Sequence, residues 1–137
     1  MTKVRLDPYL FFTGGKCREA MEFYKSVFGG ELMMSTFADM GETDESKKDQ
    51  IMHSDLKGGL VELMASDGST RDHFEDSFIS LSISGTDEAE LRPIFDKLSE
   101  GGSKIVALKK ESWGDMFGSF TDKFGVDWMM NIGEPFK

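Results

Sequence analysis

A chain of 137 residues, 39% hydrophobic and 30% charged, is long enough for one domain with a real core. Its net charge of −9, from 25 acids against 16 bases, disfavours nucleic acid and anionic membrane surfaces, which both demand clustered Lys and Arg. No apolar run approaches the roughly 20 residues of a membrane span; with no apolar signal region in Met1 to Asp7 and a single Cys17, a cytoplasmic protein without an intramolecular disulfide is expected.

In chain order, Tyr9 to Thr13 reads as a short aromatic strand broken by Gly14-Gly15. A helix follows over Lys16 to Phe28, with Ala20, Tyr24, Val27 and Phe28 on one apolar stripe and Gly29-Gly30 as its end. Glu31 to Phe37 is a second, Met-rich strand. Ala38 to Lys48 is acidic and without period, the pattern of a mobile loop. Gln50 to Asp67 reads as a hairpin: strands Ile51 to Leu56 and Leu60 to Ala65 flank Lys57-Gly58-Gly59, where a glycine pair supplies the positive φ of a tight turn. The hairpin carries His53 on one strand and Glu62 on the other. Ile51, His53 and Asp55 share a face by the two-residue strand period, but register decides whether Glu62 joins them. A Glu between Val61 and Leu63 in an apolar strand implies a cavity wall, which makes Glu62 the leading candidate for chemistry.

Asp67 to Ser77 is a polar connector, with His73 as an exposed loop histidine. Phe78 to Ile83 alternates as a strand, and Ser84 to Glu88 opens a helix with Ser84 or Thr86 as cap and Asp87 and Glu88 at its positive end. Leu91, Ile94, Phe95 and Leu98 form its apolar stripe before Gly101-Gly102. Strands over Lys104 to Leu108, Met116 to Thr121 and Val126 to Ile132 complete the chain. Each half is thus βαβββ, a duplicated module: 7–66 and 77–133 joined by 67–76 within one α+β domain.

The paired modules resemble the vicinal oxygen chelate superfamily, which includes glyoxalase I, extradiol dioxygenases and the bleomycin- and fosfomycin-resistance proteins. The segments Pro8-Tyr9-Leu10-Phe11-Phe12, Ala20-Met21-Glu22-Phe23-Tyr24, Val27-Phe28-Gly29-Gly30, Ile51-Met52-His53, Leu63-Met64-Ala65-Ser66-Asp67, Trp113-Gly114-Asp115 and Asp122 to Trp128 resemble its PhnB-like branch. The resemblance implies curved mixed sheets enclosing a cup. It also implies, in metal-dependent members, a divalent ion bound by four side chains from the first and last strands of the modules. The matching positions here are Tyr9, Glu62, Phe78 and Met129. Of these only Glu62 is a good ligand for a hard divalent ion; Phe78 has no donor and Met129 prefers soft metals. The usual metal site is therefore expected to be dismantled, and no cofactor is called for. Methyl transfer, a label carried by parts of this branch, finds no support in a glycine-rich loop after a parallel strand.

Three readings remain. The first is a small-molecule-binding protein without turnover, its ligand in the cup near Tyr9, Phe11, Phe78, Trp113, Trp128 and Met129, with Glu62 and His53 as candidate acid–base groups. The second is a metal-dependent lyase, dioxygenase or transferase with a rearranged site around Glu62 and His53. The third is an interaction module whose cup is filled by its own Phe and Met, of which there are 12 and 10. A homodimer is expected, because half-open sheets rich in Met and Phe are poorly suited to bare edges. Cys17, close to a helix start, has no partner His or acid beside it in sequence.

Overall fold

Strands of alternating character and helices with one apolar stripe form in both halves of the chain, in a computed structural model that describes residues 5–68 and 79–133. These fall in two compact units, within Met1–Asp72 and within His73–Lys137. His73 and Phe78 lie outside the described residues.

In the first unit, β1 (Tyr9–Phe12), α1 (Cys17–Phe28), β2 (Glu31–Thr36), β3 (Ile51–Lys57) and β4 (Leu63–Asp67) form one sheet of order β1-β4-β3-β2. β1 runs parallel to β4, and the rest is antiparallel. One face packs on α1 through buried Ala20, Met21, Tyr24 and Phe28. In the second unit, β5 (Leu81–Gly85), α2 (Glu88–Ser99), β6 (Ser103–Lys110), β7 (Met116–Thr121) and β8 (Asp127–Ile132) repeat the plan in the order β5-β8-β7-β6. Here α2 contributes Leu91, Ile94, Phe95 and Leu98, and Phe95 meets Phe120 edge to face at 5.0 Å. The duplicated βαβββ plan expected from the sequence is the plan observed.

The hairpin differs from expectation. The second strand starts at Leu63 rather than Leu60, so five residues, 58–62, connect β3 to β4. The cause is the end of α1. Leu60 donates its N–H to the Phe28 carbonyl at 3.1 Å. A Cβ on Gly59 would lie 2.5 Å from the Gly29 carbonyl oxygen, closer than real contacts allow. Gly58 supplies the expected positive φ, at 83°, while Gly59 serves a backbone-to-backbone approach, which draws the chain away from the ladder before it rejoins β3. Glu62 lies in that connection and not in a strand.

Two other local expectations change. Ala38 to Lys48 contains a 3-10 turn, Ala38–Met40, in which Thr36 and Asp39 exchange side-chain-to-backbone hydrogen bonds of 2.9 and 3.1 Å. Further along it, the Asp44 carboxylate accepts from the Ser46 backbone and hydroxyl, which holds its pKa below the usual carboxylate value. The α2 cap is Asp87, which accepts the Ala89 N–H at 3.0 Å, rather than Ser84 or Thr86. Ser84 is taken up by β5.

The start of α1 has no side-chain cap of its own. Its cap comes from β4, where buried Asp67 accepts the Cys17 N–H at 3.0 Å and the Ile51 N–H at 2.9 Å. One carboxylate thus joins the helix start, β3 and β4.

Candidate functional site

The face of the first sheet turned away from α1 gathers residues from all four strands. Register places Met33, Asp55, Met64 and Tyr9 in one row across β2, β3, β4 and β1. The adjacent row pairs Ser35 with His53 and Ser66 with Phe11. In a pleated sheet, residues in a row and at two-residue spacing share a face.

On this face the Tyr9 hydroxyl lies 3.1 Å from Nδ1 of His53, and Nε2 of His53 lies 3.2 Å from Oδ2 of Asp55. Both ring nitrogens are engaged. A carboxylate only accepts hydrogen bonds, so in the neutral ring Nε2 carries the proton toward Asp55. Nδ1 is then an acceptor, and the Tyr9 hydroxyl donates to it. Tyr9 and His53 rings stand 5.8 Å apart, and Phe11 stacks obliquely on Tyr9 at 5.0 Å. Phe11 and Met33 remain 47% and 49% exposed on the same face. The arrangement is a partly buried polar chain bordered by bare apolar surface.

Glu62 is elsewhere. Its carboxylate pairs with Arg5 at 3.0 Å, with a side chain 42% exposed, while Arg5 also binds Asp7 at 2.7 Å. The structure thus gives Glu62 to Arg5 and gives His53 to Tyr9 and Asp55. Asp55 is the residue that sequence reasoning passed over. Its signal was its place two residues from His53 on one strand face.

The remaining candidates lie in or beyond the second unit. Met129 is half-buried in β8, in a row with Ser82, Ser119 and Val106. Trp128, its neighbour, points to the opposite face; it is buried, and its indole N–H donates to Asp122 at 2.8 Å. The other oxygen of buried Asp122 accepts the Phe124 and Val126 N–H groups, so this carboxylate closes the β7–β8 turn. Trp113 is exposed in the β6–β7 turn, edge-on to Phe117 at 6.2 Å. A pocket of about 240 Å³ in this unit is lined in part by Ser80, Lys104, Ser119, Thr121, Asp127 and Trp128.

Among the described residues no group of three or more His, Cys, Asp or Glu side chains is placed to hold a metal. Tyr9 and Glu62, both at expected ligand positions, are committed to His53 and Arg5. Gly14-Gly15 links parallel strand β1 to α1, a glycine pair without the G-x-G-x-x-G spacing of a nucleotide-binding loop. The Cys17 N–H at that helix start already serves Asp67. Cys17 itself is fully buried against Ser54, and burial pushes its thiol up to about 11, so the helix start yields no reactive thiolate.

Two four-stranded mixed sheets, each with one helix, give a fold of the glyoxalase/bleomycin-resistance type. A glyoxalase family protein from Enterococcus faecalis shares this fold at a TM-score of 0.61 and 15% identity, over 94% of this chain and 97% of that one. The family model described as 3-demethylubiquinone-9 3-methyltransferase matches residues 4–131, and the chain belongs to that family. It is 37% identical to protein PA1353 from Pseudomonas aeruginosa, with a TM-score of 0.77 over 96% of this chain and all of that one. The PhnB protein from Bacillus cereus is similar at 26% identity and a TM-score of 0.76, over 95% of this chain and 100% of that one. Among the described residues no helix is long and apolar enough to cross a membrane.

Proposed function

We propose that this protein binds a small apolar or aromatic molecule, held in a sheet cup against the open face of the first unit. The observation that carries the reading is the bare Phe11 and Met33 beside the Tyr9–His53–Asp55 chain. Apolar area supplies affinity, and a few fixed polar groups supply orientation, the usual division of labour in ligand sites. Tyr9, Phe11 and His53 are the contact residues of this reading, with Met129 a further candidate on the open face of the second sheet.

The test is a screen of aromatic fragments by thermal shift, followed by calorimetry on the hits. Replacing Phe11 and Met33 together by Ser should weaken the hits by about tenfold or more, equal to about 1.4 kcal/mol. Unchanged affinity in that variant, or a screen without hits, overturns the reading. The protein is further taken to be a cytoplasmic homodimer. The exposed Ile105 and Val106 on edge strand β6 support self-association. Light scattering that gives the monomer mass of 15.4 kDa at micromolar concentration would remove the dimer.

A further inference from the structure

The open face carries a directional chain of hydrogen bonds. Asp55 accepts from Nε2 of His53, which leaves Nδ1 with its lone pair toward Tyr9. The single proton of the Tyr9 hydroxyl is spent on that bond. What Tyr9 can offer a ligand is therefore a lone pair, and a phenol oxygen hydrogen-bonded to an imidazole is the better acceptor for it.

We propose that Tyr9, His53 and Asp55 form a proton relay that accepts a proton from an acidic hydroxyl on the bound molecule. The inference rests on the ligand face proposed above and names the chemical class that face takes: small apolar molecules with an enol or phenol O–H. In the transfer the ligand O–H bond breaks and a new O–H bond forms at Tyr9. The former Tyr9 proton moves to Nδ1 of His53. The ligand becomes an oxyanion, His53 an imidazolium, and Asp55 stabilises that cation without itself taking the proton. No redox partner is needed, and total charge is conserved.

Among the described residues of the first unit, few charged groups face the relay. From β2 the relay faces Met33 and Ser35, and from β4 Met64 and Ser66. Glu31 and Lys57 oppose one another at the far end of the same face. Asp7 and Glu62 are both paired with Arg5. Asp55 is thus the carboxylate that touches the ring.

The experiment uses the whole protein with two matched probes: 4-nitrophenol, whose anion absorbs visible light, and 4-nitroanisole, which has no proton to give. Saturating wild-type protein should lower the pH at which nitrophenol ionises by about one unit or more, equivalent to tenfold. Tyr9→Phe and His53→Gln should abolish the shift, and Asp55→Asn should reduce it, with Tyr9→Phe and His53→Gln each losing about tenfold more affinity for nitrophenol than for nitroanisole, equal to about 1.4 kcal/mol. A merely structural role for these residues would move the binding of both probes together. If nitroanisole binds and nitrophenol shows no shift, or the shift survives in Tyr9→Phe, the relay is wrong and the ligand face stands. If neither probe binds, the ligand face fails and the relay falls with it.

Discussion

The two units share one plan and differ in what their strands carry away from the helix. In the first, a row across the sheet reads Met33, Asp55, Met64 and Tyr9, with His53 beside it. In the second, a row across its four strands reads Val106, Ser119, Met129 and Ser82, and the next reads Lys109, Phe117, Asn131 and Ser84. One open face holds a Tyr–His–Asp chain, while the other holds hydroxyls, an amide, one thioether, the Lys109 amine and the Asp127 carboxylate. Their helix starts differ as well. α2 is capped locally by Asp87, and α1 from fifty residues away by Asp67. Duplication has kept the topology in both copies and placed the histidine chain in one.

The contrast between caps gives the largest expected effect. Asp67→Ala should cost about 3–5 kcal/mol, because two buried N–H groups lose a charged acceptor at once. Asp87→Ala should cost about 1 kcal/mol, the usual loss for an exposed N-cap. Urea denaturation of both variants measures the difference, and equal losses would break the distinction between a long-range and a local cap.

Cys17 comes next, a buried thiol at the first position of α1 where α2 has exposed Glu88. Burial, the largest cause, raises its pKa from 9.0 to about 11. Between those values the unfolded chain has released the proton and the folded chain has kept it. Stability is therefore full below pH 9 and falls as pH rises toward 11, by about 2–3 kcal/mol in all. Denaturation curves from pH 8 to 11 should show that loss in the wild type and lack this component in Cys17→Ala. Parallel curves would mean that the thiol is not sealed.

The smallest effect concerns two of the exposed ion pairs, one taken from each unit. Arg5–Glu62 and Glu88–Arg92 are each 3.0 Å long and at least partly exposed. Glu62→Gln and Glu88→Gln should each change stability by less than about 1 kcal/mol, with solvent screening the charges. A large loss for Glu62→Gln alone, seen in thermal melts, would restore that residue to structural importance and sharpen the asymmetry between units.

Much of this architecture was legible in the sequence because it is written in local patterns. Apolar stripes marked both helices, α1 to within a residue, and Gly29-Gly30 and Gly101-Gly102 marked their ends. Met116 to Thr121 appears as a strand with the expected bounds. The candidate site was only half legible. His53 and Tyr9 stood out by type, but their partnership did not, because 44 residues separate them. Glu62 stood out for the wrong reason. Its apolar neighbours suggested a strand, and the approach of Gly59 to Gly29 took that strand away.

The sequence alone determined the order of elements, the duplication, the apolar faces and the family resemblance, since each depends on periodicity and short motifs within about a dozen residues. The tertiary structure decided which polar groups meet. Sheet register brought Asp55 into the row of Tyr9 and set Tyr9 against His53, Asp67 reached α1 from the far end of the first unit, and Arg5 took Glu62. Those choices are set by strand pairing and backbone approach between distant segments, where a shift of one residue turns a side chain to the opposite face.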